Sequence, residues 1–133
     1  MRKLLYLIII GIVVSSCSTI SKTSSENELP EGAVRIANEE LEYEIIIIDN
    51  GFDIYLQTIA KPANFYSQDY YEIKNYRYVV EWNIRAEQPM RYNSNIYENR
   101  IDYKSTIDYG LDVNYKLYNY FKFVEYKYKQ KFF

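Results

Sequence analysis

Apolar residues along this chain fall into blocks with different periods, and each period predicts a different element. The block Leu4 to Val14 is continuous apart from Gly11. Ile45-Ile46-Ile47-Ile48 is short, continuous and β-branched. Four such residues are stiff at χ1 and suit a pleated strand better than a helix. Closed by the turn signal Asp49-Asn50-Gly51, they predict a strand over residues 42–49. An unbroken apolar run of this length points to burial on both faces. Ile73, Tyr76, Val80 and Ile84 recur at helical spacing and predict a helix over 68–87, with Ser67 as its N-cap and Asp69 in its first turn. Leu117, Phe121, Val124 and Tyr128 predict a second long helix over 111–131, although the alternation Tyr126-Lys127-Tyr128-Lys129 leaves a strand open for its last turns.

Shorter signals fill the gaps. Ala33 to Ala37 fits a short edge strand, and Asn38-Glu39-Glu40 turns the chain into 42–49. Phe52 to Ala60 reads as a short helix with Phe52, Leu56 and Ile59 on one face, stopping near Lys61-Pro62 because the residue before proline avoids the helical region. Ile96 to Tyr103 reads as a second long strand, with Tyr97, Ile101 and Tyr103 as its packing residues. The expected fold is α+β: a small sheet with a central Ile-rich strand, covered by two long helices and one short helix.

The first apolar block is not part of that domain. Arg2 and Lys3 precede it, it is too short to span a bilayer comfortably, and Val14-Ser15-Ser16-Cys17 follows. This order resembles a bacterial lipoprotein signal, in which the cysteine thiol takes up diacylglycerol and the chain is cut before it. Residues 1–16 are therefore expected to be a signal peptide. Residues 17–32 are expected to be a lipidated Cys17 with a disordered Ser/Thr/Glu/Asn tether, reaching roughly 20 Å, and residues 33–133 a single domain. By the sorting logic of such lipoproteins Ser18 after the cysteine favours the outer membrane, and the lack of an acidic cluster directly after Cys17 favours its periplasmic side. Cys17 is the sole cysteine, so no disulfide can form within the chain.

Composition narrows the chemistry. There are 17 Tyr, 6 Phe and no His. Every buried tyrosine hydroxyl needs a partner, so the rings should border the core. Without Arg2 and Lys3 the balance is 14 basic against 18 acidic residues, which argues against nucleic acid. Lack of His and of a free Cys removes most nucleophile–base pairs and a structural zinc site, and no glycine-rich phosphate loop is present. Glu81 and Glu98 are the candidates for a glycosidase pair, but no spacing selects them. Asp49-Asn50-Gly51-Phe52-Asp53 carries oxygen ligands in an order unlike an EF-hand and fits a turn and helix cap better. We expect no catalysis, no cofactor and no metal. The basic aromatic stretch Lys122 to Phe133 could rest on anionic lipid or be an ordinary terminal helix.

One helix face offers a partner site. Tyr71, Tyr78 and Trp82 share a second face of the 68–87 helix, and Trp82 lies about 180° from Ile73. An amphipathic surface helix should be polar there. Either this face packs under the C-terminal helix on Leu117 and Phe121, or Tyr71, Tyr78 and Trp82, flanked by Arg85, form an exposed recognition patch.

The chain also resembles a family of Bacteroidota-type lipoproteins whose domain has no assigned function. The resemblance covers about residues 34–121. It rests on Glu42-Tyr43-Glu44-Ile45-Ile46-Ile47-Ile48-Asp49, Gly51-Phe52, Tyr66-Ser67-Gln68, Glu81-Trp82-Asn83, Arg85 and Gln88-Pro89. Arg91-Tyr92-Asn93, Ile107-Asp108-Tyr109-Gly110 and Val113 to Tyr120 continue it. It implies an envelope lipoprotein and no particular activity. The expected function is non-catalytic contact with an envelope protein, from a membrane anchor at Cys17. The alternative is a glycan-binding module with aromatic platforms, and a hydrolase comes third.

Overall fold

The structure is a computed structural model that describes residues 29–133. The expected signal peptide, Cys17 and nearly all of the tether lie outside the described residues.

Two strands, β1 (Val34–Asn38) and β2 (Tyr43–Ile47), form an antiparallel hairpin in which Val34 faces Ile47, Ile36 faces Ile45 and Asn38 faces Tyr43. A single 3₁₀ turn, Glu39–Leu41, joins them. Asn38 secures it by accepting the Leu41 N–H at 3.2 Å and donating to the Tyr109 carbonyl at 3.1 Å. The helices are α1 (Phe52–Thr58), α2 (Gln68–Ala86) and α3 (Gly110–Tyr128). Gly51, at φ 95°, makes the left-handed turn from β2 into α1 that other residues adopt only with strain. Ser67 caps α2 by accepting the Tyr70 N–H at 3.2 Å, with Asp69 in the first turn. This is the expected α+β class, with three helices and a small sheet that α3 covers.

The core lies where α2 and α3 cross and where α3 meets β1 and α1. Leu117, Phe121 and Val124 are fully buried on the expected face of α3. That helix runs on to Tyr128, so its last turns are helical, and Lys129 ends it in a left-handed conformation. The basic aromatic stretch then folds back, burying Phe132 against Phe121 and Tyr78.

Four expectations need correction. First, β2 pairs only with β1 and is buried on one face: Ile36, Ile45 and Ile47 turn inward, while Ile46 is exposed and Ile48 is 65% exposed. Second, residues 96–103 are not a strand. Tyr97, Ile101 and Tyr103 are buried as expected, but α2 side chains take the place of a neighbouring strand. Asn83 donates to the Ile101 carbonyl at 3.0 Å and accepts its N–H at 2.8 Å, and the Trp82 indole N–H donates to the Asn99 carbonyl at 2.8 Å. Third, α1 stops at Thr58, and Tyr55 rather than Ile59 shares its buried face with Phe52.

Fourth, α2 is turned over. The aliphatic stripe faces solvent, with Ile73 65% and Tyr76 51% exposed, and Val80 and Ile84 are exposed as well. The buried face is Tyr71, Asn75, Tyr78, Val79, Trp82 and Arg85, with Tyr71 1% and Trp82 3% exposed. Both faces are apolar enough to compete. Burying an aromatic ring removes about 150–250 Å² from water, more than an aliphatic side chain offers, so the aromatic face wins.

This orientation sets opposite costs for two truncations. Trp82→Ala should lower unfolding stability by about 3–5 kcal/mol, as for a large core residue. Ile73→Ala should change it by less than about 0.5 kcal/mol. Urea denaturation of both variants measures the difference, and a reversed order would place the aliphatic stripe in the core.

Candidate functional site

The four residues expected to form a recognition patch are brought together, but inside the core. Tyr71 donates its hydroxyl to the Ala63 carbonyl at 3.2 Å. Tyr78 stacks on Phe121, with centroids 5.0 Å apart and planes 14° apart. Trp82 meets Phe121 at 5.9 Å and Tyr97 at 4.9 Å. Packing of this face on Leu117 and Phe121 is thus the arrangement found, and the exposed patch is not.

Arg85 is buried with them, and each nitrogen that faces the protein is used. Its Nε donates to Glu81 Oε1 at 2.7 Å, Nη1 to the Tyr97 hydroxyl at 2.8 Å and Nη2 to the Lys131 carbonyl at 2.8 Å. The guanidinium also lies 4.8 Å from the Phe132 ring centroid. Burial opposes the charge, but the bonds to Glu81 and Tyr97 outweigh it and hold the Arg85 pKa above its ordinary value. Glu81 is therefore committed to a structural ion pair, whereas Glu98 stands exposed on a groove described below. Asp49 is committed too: both its oxygens accept the Tyr128 hydroxyl at 2.9 Å and Oδ1 accepts Lys127 at 2.5 Å, so it ties the β2–α1 turn to the end of α3. Among the described residues no three carboxylates converge as a metal site.

A second polar cluster joins α2 to α3. The Asn75 amide donates to the Asn114 carbonyl at 2.9 Å and to Asn114 Oδ1 at 3.2 Å, and the Tyr103 hydroxyl donates to the same Oδ1 at 2.7 Å. Gln68 links Glu72 and Asp108 at the rim, at 2.8 and 2.6 Å. Asn75 and Asn114 are fully buried, and Asn75 Oδ1 has no partner among the described residues. Sequence reasoning missed both. The available signal was position: Asn75 stands four residues after Tyr71 and three before Tyr78, on the aromatic face.

Tyrosines dominate the remaining hollows. Tyr55, Tyr66, Tyr71 and Tyr118 line a cavity of about 240 Å³ with Asn119 and Lys122. Burial pushes the hydroxyls of Tyr43, Tyr103, Tyr118 and Tyr120 well above the ordinary tyrosine range.

A groove of about 720 Å³ runs along β2. Glu42 to Asp49 line it together with residues of the 95–102 segment, and buried Trp82 and Tyr120 contribute to its wall. On another face of the domain stands the aliphatic stripe of α2. The described residues thus offer a groove beside β2 and an exposed apolar stripe on α2.

An α+β domain of this kind, with a hairpin against crossed helices, also finds its family. The chain belongs to the Family of unknown function (DUF6146), which matches residues 4–133. No curated protein and no solved structure matches it.

The buried polar groups set two measurable properties. Asn114→Ala should cost about 1–3 kcal/mol, because it removes the acceptor of the buried Tyr103 hydroxyl, while the Asn75 amide keeps only its bond to the residue-114 carbonyl. Above the ordinary tyrosine pKa of about 10 the unfolded chain loses phenolic protons that the native state retains, so stability should fall as pH rises through that value. Tyrosinate absorbance should then grow cooperatively with loss of circular dichroism. Full tyrosine ionisation in a still-folded protein would contradict the burial.

Proposed function

We propose that this protein is a lipid-anchored lipoprotein of the bacterial cell envelope that acts by non-catalytic contact with another protein. The reading of the anchor rests on the ordered n-region, apolar run and Val14-Ser15-Ser16-Cys17 box. The motif set from Glu42 to Tyr120 supports a Bacteroidota-type lineage, Ser18 supports the outer membrane, and the lack of an acidic cluster directly after Cys17 supports its periplasmic side. The observation that carries the contact is the α2 stripe. Ile73, Tyr76, Val80 and Ile84 stand exposed on one rigid helix, next to a face that packs the core. Contiguous apolar surface of this kind marks interaction sites more often than it marks ordinary monomer surface. The engagement of Glu81 by Arg85 supports a non-catalytic role.

A second reading, glycan binding, draws on the hollow lined by Tyr55, Tyr66, Tyr71, Tyr118 and Asn119, where rings and an amide stand together as a sugar site requires.

The anchor and the contact are tested separately. Cys17→Ala should leave an unprocessed precursor without incorporated palmitate, and normal maturation of that variant would end the lipoprotein reading. The double variant Ile73→Glu with Val80→Glu should keep its melting temperature within a few degrees. It should lose the partner recovered by crosslinking the wild-type protein in intact envelopes. Undiminished recovery would exclude the stripe as the contact, and binding of envelope glycan that is lost in Tyr66→Ala would favour the second reading.

A further inference from the structure

A strand that pairs on one side leaves half of its backbone donors and acceptors facing elsewhere. In β2 every second residue turns its N–H and C=O away from β1. Among the described residues, no backbone group from Tyr43 to Ile48 has a hydrogen bond outside the β1 pairing. Natural proteins usually cover, shorten or block such an edge. Here the edge borders the 720 Å³ groove instead.

The other wall of the groove is partly tied to α2. In the 95–102 segment the Ile101 N–H and carbonyl are taken by Asn83, and the Asn99 carbonyl is taken by Trp82. The slot therefore has one side whose outward strand groups are free among the described residues, facing a segment that turns three of its backbone groups toward α2. Its apolar lining includes Ile45, Ile47, Ile96 and Ile101. Tyr43, also in the lining, has a buried hydroxyl without a partner among the described residues.

Charge selects the occupant. Glu42, Glu44, Asp49, Glu98 and Asp102 line the groove against one cation, Arg100. Arg100 is paired with Glu87, Glu44 with Arg35, and Asp49 with Lys127. Glu42, Glu98 and Asp102 are exposed and form no ion pair among the described residues. Unpaired carboxylates beside an apolar slot repel an anionic lipid surface and attract a basic chain.

We infer that the groove beside β2 binds an extended, basic polypeptide segment of a partner, which adds as a third strand to the open edge of β2 while its apolar residues enter the slot and its cations meet Glu42, Glu98 and Asp102. Main-chain pairing supplies affinity in such strand addition, and alternate side chains supply selection. This site is separate from the α2 stripe and does not depend on the lipid anchor.

The test uses the full chain in detergent micelles and a capped hexapeptide of alternating lysine and valine. The expected result is saturable binding that weakens with salt, with new hydrogen-exchange protection of amides within residues 43–48. The glutamate–valine twin should not bind. Methylating the peptide nitrogens along one edge should weaken binding at least about tenfold, while methylating the other edge changes it little, since only one side of the added strand faces β2. Glu98→Lys with Asp102→Lys should weaken it by at least about tenfold without lowering the melting temperature. Equal binding of the acidic twin, indifference to both methylation patterns, or absence of binding overturns the inference. So does protection of the outer β2 amides before peptide is added, because another part of this chain would then fill the slot. Loss of peptide binding with intact crosslinking through the α2 stripe sinks this inference alone, and the reverse result sinks only the proposed contact.

Discussion

The contact between α2 and α3 must bury a core in which tyrosine is the commonest residue, and tyrosine carries a hydroxyl wherever it goes. Each ring contributes area that drives packing, and each hydroxyl adds a desolvation cost unless it finds a partner. The domain meets this constraint at both ends of the helix crossing. At one end Asn114 gathers the Asn75 amide and the Tyr103 hydroxyl. At the other, Arg85 accepts the burial of its charge in exchange for bonds to Glu81, Tyr97 and the Lys131 carbonyl. Between these ends Tyr78, Trp82 and Phe121 pack ring on ring. The two polar clusters orient the helices as well as satisfy them, because an aromatic stack alone tolerates sliding.

The same constraint explains the irregular segment between the long helices. Residues 87–109 form neither helix nor strand, yet they close one side of the core. Buried backbone groups in such a segment need partners that no helix or strand ladder supplies. Here α2 projects Asn83 and Trp82 toward it and supplies the bonds that a neighbouring strand would have given.

Much of this was readable from residue order. The two long helices, the Ser67 cap and the buried stripe of α3 follow from spacing, because on α3 only one face is continuously apolar. The α2 orientation was not readable by hydrophobicity alone. Its aliphatic stripe is cleaner, whereas the aromatic face is interrupted by Asn75 and Arg85, which look like solvent residues until their partners on α3 and the 97–131 region are known. The segment 96–103 misled for a related reason: alternation reports which side chains point inward, and it cannot tell whether the backbone finds its partner in a strand or in an asparagine. For the site, sequence found the residues Tyr71, Tyr78, Trp82 and Arg85 and their common face, but whether a face is covered depends on a contact across some forty residues of chain. The β2 edge was hidden because an isoleucine run looks the same with one neighbour as with two.

The last buried ring comes late in the chain. Phe132 lies against Phe121, Tyr78 and the Arg85 guanidinium, and the preceding carbonyl completes the Arg85 bonds. A ribosome releases residues in order, so the residues of the helix crossing are available before those of this corner. Until Lys131 and Phe132 emerge, Arg85 lacks one acceptor and Tyr78 lacks one neighbouring ring. Lys131 and Phe132 thus act as a latch on the helix crossing, and a chain halted before them would leave the buried Arg85 facing an unfilled corner.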